Sequence, residues 1–252
     1  MGRRKNQKSF LSVIVPSFRQ EKTIGRDLRN IESVLKKIRY DYELICVVDG
    51  TLDGTFERAK KVKSKKLKVI GYKKNHGKGY AIRYGMRKAK GNLIAFIDAG
   101  MDLDPNGLSM LLEHFEWYDA DIIVGSKRHP VSKINYPWQR RVLSFGYQLL
   151  IKVLFGLKIR DSQVGMKFFR KKVLQDVLPR LMVKKYAFDI EMLAVAHRLG
   201  YRRIFEAPIN LEWTEGYSIL TKSLWRNIYQ MLVDTAAIFY RLKILHYYDK
   251  KD

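Results

Sequence analysis

The sequence predicts an α/β protein with a mainly parallel central sheet flanked by helices. Four short apolar runs recur along the first hundred residues: LSVIVP (Leu11 to Pro16), YELICVVD (Tyr42 to Asp49), LKVIGY (Leu67 to Tyr72) and LIAFID (Leu93 to Asp98). They are nearly continuous in apolar residues rather than alternating, the pattern of strands buried on both faces. The segments between them place apolar residues at helical intervals, which makes the repeating unit βα. At 252 residues, 46% of them apolar, the chain can bury a full core.

Each run delivers a polar loop at its C-terminal end, where ligands bind in sheets of this kind. The first is followed by Pro16-Ser17-Phe18-Arg19-Gln20-Glu21 and a helix marked by Ile24, Leu28, Ile31, Val34, Leu35 and Ile38. After the second comes Asp49-Gly50-Thr51-Leu52-Asp53-Gly54-Thr55, where Asp53 is placed to cap the next helix. The third leads into Asn75-His76-Gly77-Lys78-Gly79-Tyr80-Ala81: glycines permit close backbone approach, and a lysine at a helix start suits a phosphate. The fourth ends in DAGMDLDP, with Asp98, Asp102 and Asp104 within seven positions. Like charges so close raise the cost of ionising one another, so a positive charge is expected among them. Asp104 is placed to cap the helix opened by Pro105.

Composition narrows the partner. Lys and Arg number 49 against 25 Asp and Glu, a net charge of +24, which points to an anionic partner: nucleic acid, a membrane surface or a phosphorylated substrate. The single cysteine, Cys46, lies within an apolar run and excludes an intramolecular disulfide and a Cys-based metal site. The basic start, residues 1–10, is followed by too short an apolar run for a signal peptide, and no uncharged run approaches the roughly 20 residues of a membrane span. The expectation is a protein that lies on a membrane, if it meets one.

Two later segments carry that expectation. Across Trp138 to Asp161, Ser144, Gln148 and Lys152 fall four apart as one narrow polar stripe, while Val142, Leu143, Phe145, Leu149, Leu150, Val153, Leu154 and Phe155 cover the rest. Trp138, Arg140 and Arg141 flank one end, Lys158 and Arg160 the other. Such a helix belongs in a core or in a bilayer interface, and its aromatic and basic flanks favour the interface. Residues 216–252 repeat the theme, with Leu224, Ile228, Met231, Leu232, Thr235, Phe239 and Leu242 at helical spacing.

The order of these motifs resembles the family 2 glycosyltransferases of GT-A fold, in the branch of dolichyl-phosphate mannose and glucose synthases and their bacterial polyprenyl-phosphate relatives. The pieces are VIVPSFRQE, VVDGTLDGT, NHGKGYAIRYG, FIDAGMDLDP, VGSKR and DSQVGMKFFR, covering Leu11 to Arg170, with a looser match to Tyr248. The resemblance implies a catalytic domain over residues 11–215, with interfacial helices within 133–160. It implies that Pro16, Glu21, Asp49, Asp53, Lys78 and Gly79 surround a nucleoside diphosphate. It also implies that Asp98, with Asp102, holds Mg2+ or Mn2+ bridging that diphosphate, which would supply the positive charge the acids require. The family's usual Asp-x-Asp is here Asp98-Ala99-Gly100, so the second acid is missing at its expected place, and Asp98 is the first candidate metal ligand with Asp102 the second.

The reaction implied is inverting transfer of a hexose from GDP-mannose or UDP-glucose to a polyprenyl or dolichyl phosphate. A phosphate monoester, with its second pKa near ~6, is already a nucleophile and requires cations more than a base. Lys127, Arg128, Arg140, Arg141, Lys167, Arg170, Lys184 and Lys185 are the cations in the relevant half. The alternative is a hydroxyl acceptor, for which Asp189, in a segment similar to the family's Phe-Asp-x-Glu-Leu, is the candidate base. The Lys-rich composition and the lack of targeting signals suit the cytoplasmic face, with the enzyme held by interfacial helices and anionic lipid or by a separate membrane-anchoring subunit. A non-enzymatic nucleic-acid-binding protein fits the charge but not the acids at the ligand edge, and no nucleic-acid module is recognised.

Overall fold

The computed structural model describes residues 9–100, 102–135, 138–212 and 224–249. The four apolar runs are strands: β1 (Phe10–Ser17), β2 (Asp41–Asp49), β3 (Leu67–Tyr72) and β4 (Leu93–Ile97). Helices α1 (Ile24–Leu35), α2 (Thr55–Lys60) and α3 (Lys78–Lys88) connect them, and α4 (Gly107–Trp117) leads to β5 (Ile122–Ser126). Beyond lie β6 (Lys133–Asn135), α5 (Trp138–Phe155), β7 (Met166–Arg170), α6 (Lys171–Val177), α7 (Phe188–Arg198), β8 (Ile204–Pro208), β9 (Asn210–Glu212) and α8 (Leu224–Phe239).

The main sheet has seven strands in the order β3-β2-β1-β4-β7-β5-β8, and β6 pairs with β9 in a separate two-stranded ribbon. All neighbours in the main sheet are parallel except β7, which runs antiparallel to both β4 and β5. Order reverses at β1, the switch point where a doubly wound sheet opens a crevice. Both faces are buried, as the unbroken apolar runs predict. Ile14, Phe96 and Phe169 face one core, with α3 and α7 against them, while Val13, Val15, Ala95 and Phe168 face the other, with α1 and α4. Cys46 sits in the second core without exposure, and burial pushes its thiol pKa to about 12.

The antiparallel β7 corrects one sequence expectation. Because β7 reverses, Met166 pairs with Ile97 and Arg170 with Leu93, so Arg170 lies at the opposite edge of the sheet from Asp98. There it bonds Asp119 and covers the Phe115 ring, and it is not among the cations of the site.

Helix α5 is rotated relative to its simple polar-stripe reading. Gln148 points inward and is buried, its amide satisfied by the Ser162 hydroxyl at 3.1 Å, while Phe145, Leu149 and Val153 face out with exposures of 62%, 54% and 74%. The reason is polar satisfaction: a buried amide with partners costs little, and the outward apolar face is left over. The side chains of Arg140 and Arg141 lie outside the described residues.

After α8 the chain makes a π-helical turn, Tyr240–Ile244, and a final turn, Tyr247–Asp249. These residues turn back onto the protein: Leu242 and Tyr248 are buried, and the Tyr248 hydroxyl donates to Glu191 at 2.6 Å. Burial, with Glu191 beside it, raises the Tyr248 pKa above the ordinary value near ~10. A folded-state pKa raised above the unfolded one means that the hydroxyl's contribution is complete below pH ~10 and is lost as pH rises further. The stability advantage of the native chain over Tyr248→Phe should therefore be constant from pH 7 to about 10 and shrink above it. Urea midpoints of the two proteins across that range check this.

Candidate active site

The loops at the C-terminal edge of β1 and β2 are stitched together before any ligand is considered. The Gln20 amide donates to Thr55 Oγ1 at 2.8 Å, the Gly54 amide to Glu21 Oε2 at 3.1 Å, and the Thr55 amide to Asp53 Oδ1 at 3.1 Å. Asp53 thus closes the turn before α2, whose N-cap is Gly54, and Glu21 holds the adjoining turn. Pro16 is half-buried at the end of β1 between these loops.

Asp49, 3% exposed at the end of β2, organises the next loop. Its Oδ1 accepts the His76 amide at 2.8 Å, and its Oδ2 accepts the Gly77 amide and the Asn75 side-chain amide, each at 2.9 Å. This fixes the approach to α3, whose first residue is Lys78. Gly79 meets a protein neighbour: a Cβ there would stand 2.5 Å from Phe188 Cβ.

A positive charge stands at the first of these acids, and it is Lys78. Its ammonium lies 2.7 Å from Asp98 Oδ2, joining the third strand's loop to the end of the fourth. Burial works against the charged lysine, but Asp98 and then Asp189 outweigh it and hold the Lys78 pKa above the ordinary value. A second pair lies beneath: Lys167, fully buried, donates to Asp189 Oδ1 and to the Val164 carbonyl, both at 2.6 Å. Burial pushes the Lys167 pKa down despite Asp189. Lys167 is therefore engaged internally and not free for an acceptor.

Of the three acids in DAGMDLDP, Asp104 accepts the Asn106 amide at 2.9 Å in the turn before α4; the helix begins at Gly107 with Asn106 as its N-cap, so Asp104 closes that turn and does not cap the helix. Asp102 is half-buried in the bend preceding the Leu103–Leu211 bridge. Gly100 has φ +112° and donates its amide to the buried Asp27 at 3.1 Å. An aspartate at that φ would be strained. The residues fit a cation held by one carboxylate, because Asp98 Oδ1 is buried and accepts no hydrogen bond among the described atoms. Among the described residues, no three His, Cys, Asp or Glu side chains converge as a metal cage. The rest of a Mg2+ or Mn2+ shell would fall to phosphate oxygens and water.

Gly165 is the residue the sequence underrated. Its carbonyl accepts the Asp98 amide at 2.8 Å, and a Cβ on it would fall 1.7 Å from Asp98 Oδ2. Only its place in DSQVGMKFFR hinted at this, since the contact depends on β7 lying beside β4. Gly165→Ala should displace Asp98 and Lys78 and cost at least about 10²-fold in turnover with the fold retained, because misplacement near 1 Å has that effect. Initial rates alongside thermal melts check it, and activity within threefold of wild type would refute the contact's importance.

A cavity of 1030 Å³ lies between the end of β5, α5 and residues 157–160. Lys127, Arg128, Lys152, Lys158 and Arg160 supply cations, and Phe145, Leu149 and Ile159 apolar walls. Arg128 stands 5.3 Å over the Phe145 ring and donates to Ser144 Oγ at 3.3 Å. Lys127 bonds the buried Asp161 through its amide at 3.1 Å and pairs with it through its ammonium at 3.4 Å.

A lysine-carboxylate pair at the ligand edge of a doubly wound sheet, together with a cationic cavity with apolar walls, suits an α/β enzyme acting on phosphorylated substrates. The chain belongs to Glycosyl transferase family 2, whose profile matches residues 12–178, and it is a glycosyltransferase. It is 32% identical over 221 residues to the dolichyl-phosphate beta-glucosyltransferase of Homo sapiens, covering 81% of this chain and 67% of the relative. It is 26% identical over 181 residues to the dodecaprenyl-phosphate galacturonate synthase of Rhizobium johnstonii, covering 71% of this chain and 52% of that one. The fold matches glucosyl-3-phosphoglycerate synthase from Mycobacterium tuberculosis, solved with Mn2+, UDP and phosphoglyceric acid. The TM-score is 0.69 at 18% identity, over 97% of this chain and 80% of the other.

Proposed function

We propose that this glycosyltransferase moves a hexose, with inversion, from a nucleotide sugar to a polyprenyl phosphate at a membrane surface. The observation that carries the reading is the cavity between the end of β5, α5 and residues 157–160, whose cations suit a phosphate and whose apolar walls suit the first lipid units. The names of the similar proteins support a lipid-phosphate acceptor and favour UDP-glucose over GDP-mannose as donor.

In this reading the stitched loops around Pro16, Glu21, Asp49 and Asp53 receive the nucleoside, and Lys78 turns from Asp98 to the donor's diphosphate. Asp98, with Asp102 nearby in sequence, would hold a divalent cation that acts as a Lewis acid on the departing diphosphate. Lys127 and Arg128 orient the acceptor phosphate for in-line attack. No base is required, because that phosphate is already a nucleophile at neutral pH. Asp189, committed to Lys167, then serves to orient rather than to remove a proton.

No described helix is long and apolar enough to cross a membrane. The outward residues Phe145, Leu149 and Val153 of α5, with Tyr229, Leu232 and Val233 of α8, give an apolar face that would rest in the interface, with nearby lysines and arginines toward anionic lipid on the cytoplasmic face.

The test is radiolabelled transfer from UDP-glucose and GDP-mannose into an organic-extractable polyprenyl phosphate, with and without Mn2+, using wild type and Leu149→Glu. Label in the lipid phase, reduced by the outward-facing charge, supports the reading. Donor turnover onto a hydroxyl acceptor with none onto lipid phosphate would overturn it.

A further inference from the structure

Glu191, two residues beyond Asp189 on α7, is fully buried, and the donor and acceptor chemistry above makes no use of it. Both its oxygens accept the Met182 amide at 3.0 Å, and Oε2 also accepts the Val183 amide at 2.8 Å. The Tyr248 hydroxyl donates to Oε1 at 2.6 Å, and the Arg241 guanidinium stands 3.8 Å away. A buried carboxylate without partners would be costly; this one is surrounded by donors from two separate parts of the chain. The end of the chain is held there by further contacts. Arg180 Nε donates to the Tyr248 carbonyl at 2.9 Å, and Arg198 grips the Asp249 carboxylate at 2.8 and 2.6 Å.

The segment that Glu191 holds, 181–188, lies against the first turn of α3. The Lys184 carbonyl accepts the Tyr80 amide at 3.1 Å, Arg83 donates to the Leu181 carbonyl, and Phe188 occupies the space that the missing side chain of Gly79 leaves. That turn begins with Lys78. A continuous set of contacts thus runs from the chain end through Glu191 to the lysine paired with Asp98.

We infer that Glu191 and Tyr248 are positioning residues: together they fix residues 181–188 against the start of α3 and so set where Lys78 meets the donor's diphosphate. The inference rests on the reading above that Lys78 faces that diphosphate. Neither residue touches a reacting atom. Their effect on binding is exerted through the backbone of Met182 and Val183 and the packing of Phe188.

Tyr248→Phe removes one hydroxyl and leaves the ring to fill the core, so it tests the contact without emptying the site. Amide hydrogen exchange and UDP titration by calorimetry would be measured on the full chain for wild type, Tyr248→Phe, Glu191→Gln and Tyr201→Phe. The last deletes a comparable bond, Tyr201 to Asp176, away from the site. Exchange in peptides spanning 78–84 and 181–188 is expected to quicken about tenfold in Tyr248→Phe, with β1 and β4 unchanged. The UDP Kd is expected to rise by about the same factor, as loss of a bond to a charged group implies. Tyr201→Phe should move neither. Unchanged exchange in the two peptides, or faster exchange with an unaltered UDP Kd, overturns the inference. If wild type binds no UDP, the donor reading itself falls and the role at Lys78 with it, while the exchange data still report separately on the segment.

Discussion

Asp98→Asn is expected to lower sugar transfer by about 10²–10³-fold, the scale on which removal of one group that stabilises developing transition-state charge is felt. The side chain keeps its shape but loses the charge that Lys78 pairs with at 2.7 Å and one of its two carboxylate oxygens, of which Oδ1 accepts no hydrogen bond among the described residues. Both are needed if a cation is to sit between protein and diphosphate, because no second acid stands at position 100. Steady-state rates with saturating donor and acceptor are the measurement, with Mn2+ varied. A variant within tenfold of wild type would leave neutralisation of the leaving group to Lys78, and Lys78→Met would then carry the loss.

Lys167→Met should be the most destabilising single change in the site. Lys167 and Asp189 have side-chain exposures of 0% and 5%, so removing the ammonium leaves a carboxylate buried without its counter-charge. Breaking a buried pair in this way costs about 3–5 kcal/mol, which in a chain of this size lowers Tm by on the order of 10 °C. The double variant Lys167→Met with Asp189→Leu should recover most of that stability, since two apolar groups can replace a buried pair, and yet remain inactive. Thermal melts of the single and double variants, scored beside transfer rates, separate the two effects. Equal destabilisation of single and double variants would show that Lys167 acts by packing rather than by charge.

The sequence by itself determined the architecture of the first hundred residues and the chemistry gathered at one edge of the sheet. Apolar runs such as Leu44 to Val48 are strands because only burial on both faces suits them, and in a βα repeat the polar loops after them must fall on the same edge. Lys78 and Asp98 could be singled out for that reason, although twenty positions apart. What sequence could not decide was anything that depended on β7. Its antiparallel insertion between β4 and β5 brings Gly165 against Asp98, sends Arg170 to the far edge and buries Lys167 on Asp189. Local pattern carries no record of strand direction, because an apolar run looks the same in either sense. The rotation of α5 was hidden likewise: its periodicity located a polar stripe, but only Ser162, supplied by a later loop, made it favourable for Gln148 to turn inward. The contact of Tyr248 with Glu191 spans 57 residues and joins the end of the chain to the helix of the active site. Such pairings are selected by the free energy of burying a carboxylate with all its donors, a quantity that exists only once the tertiary structure has brought those donors together.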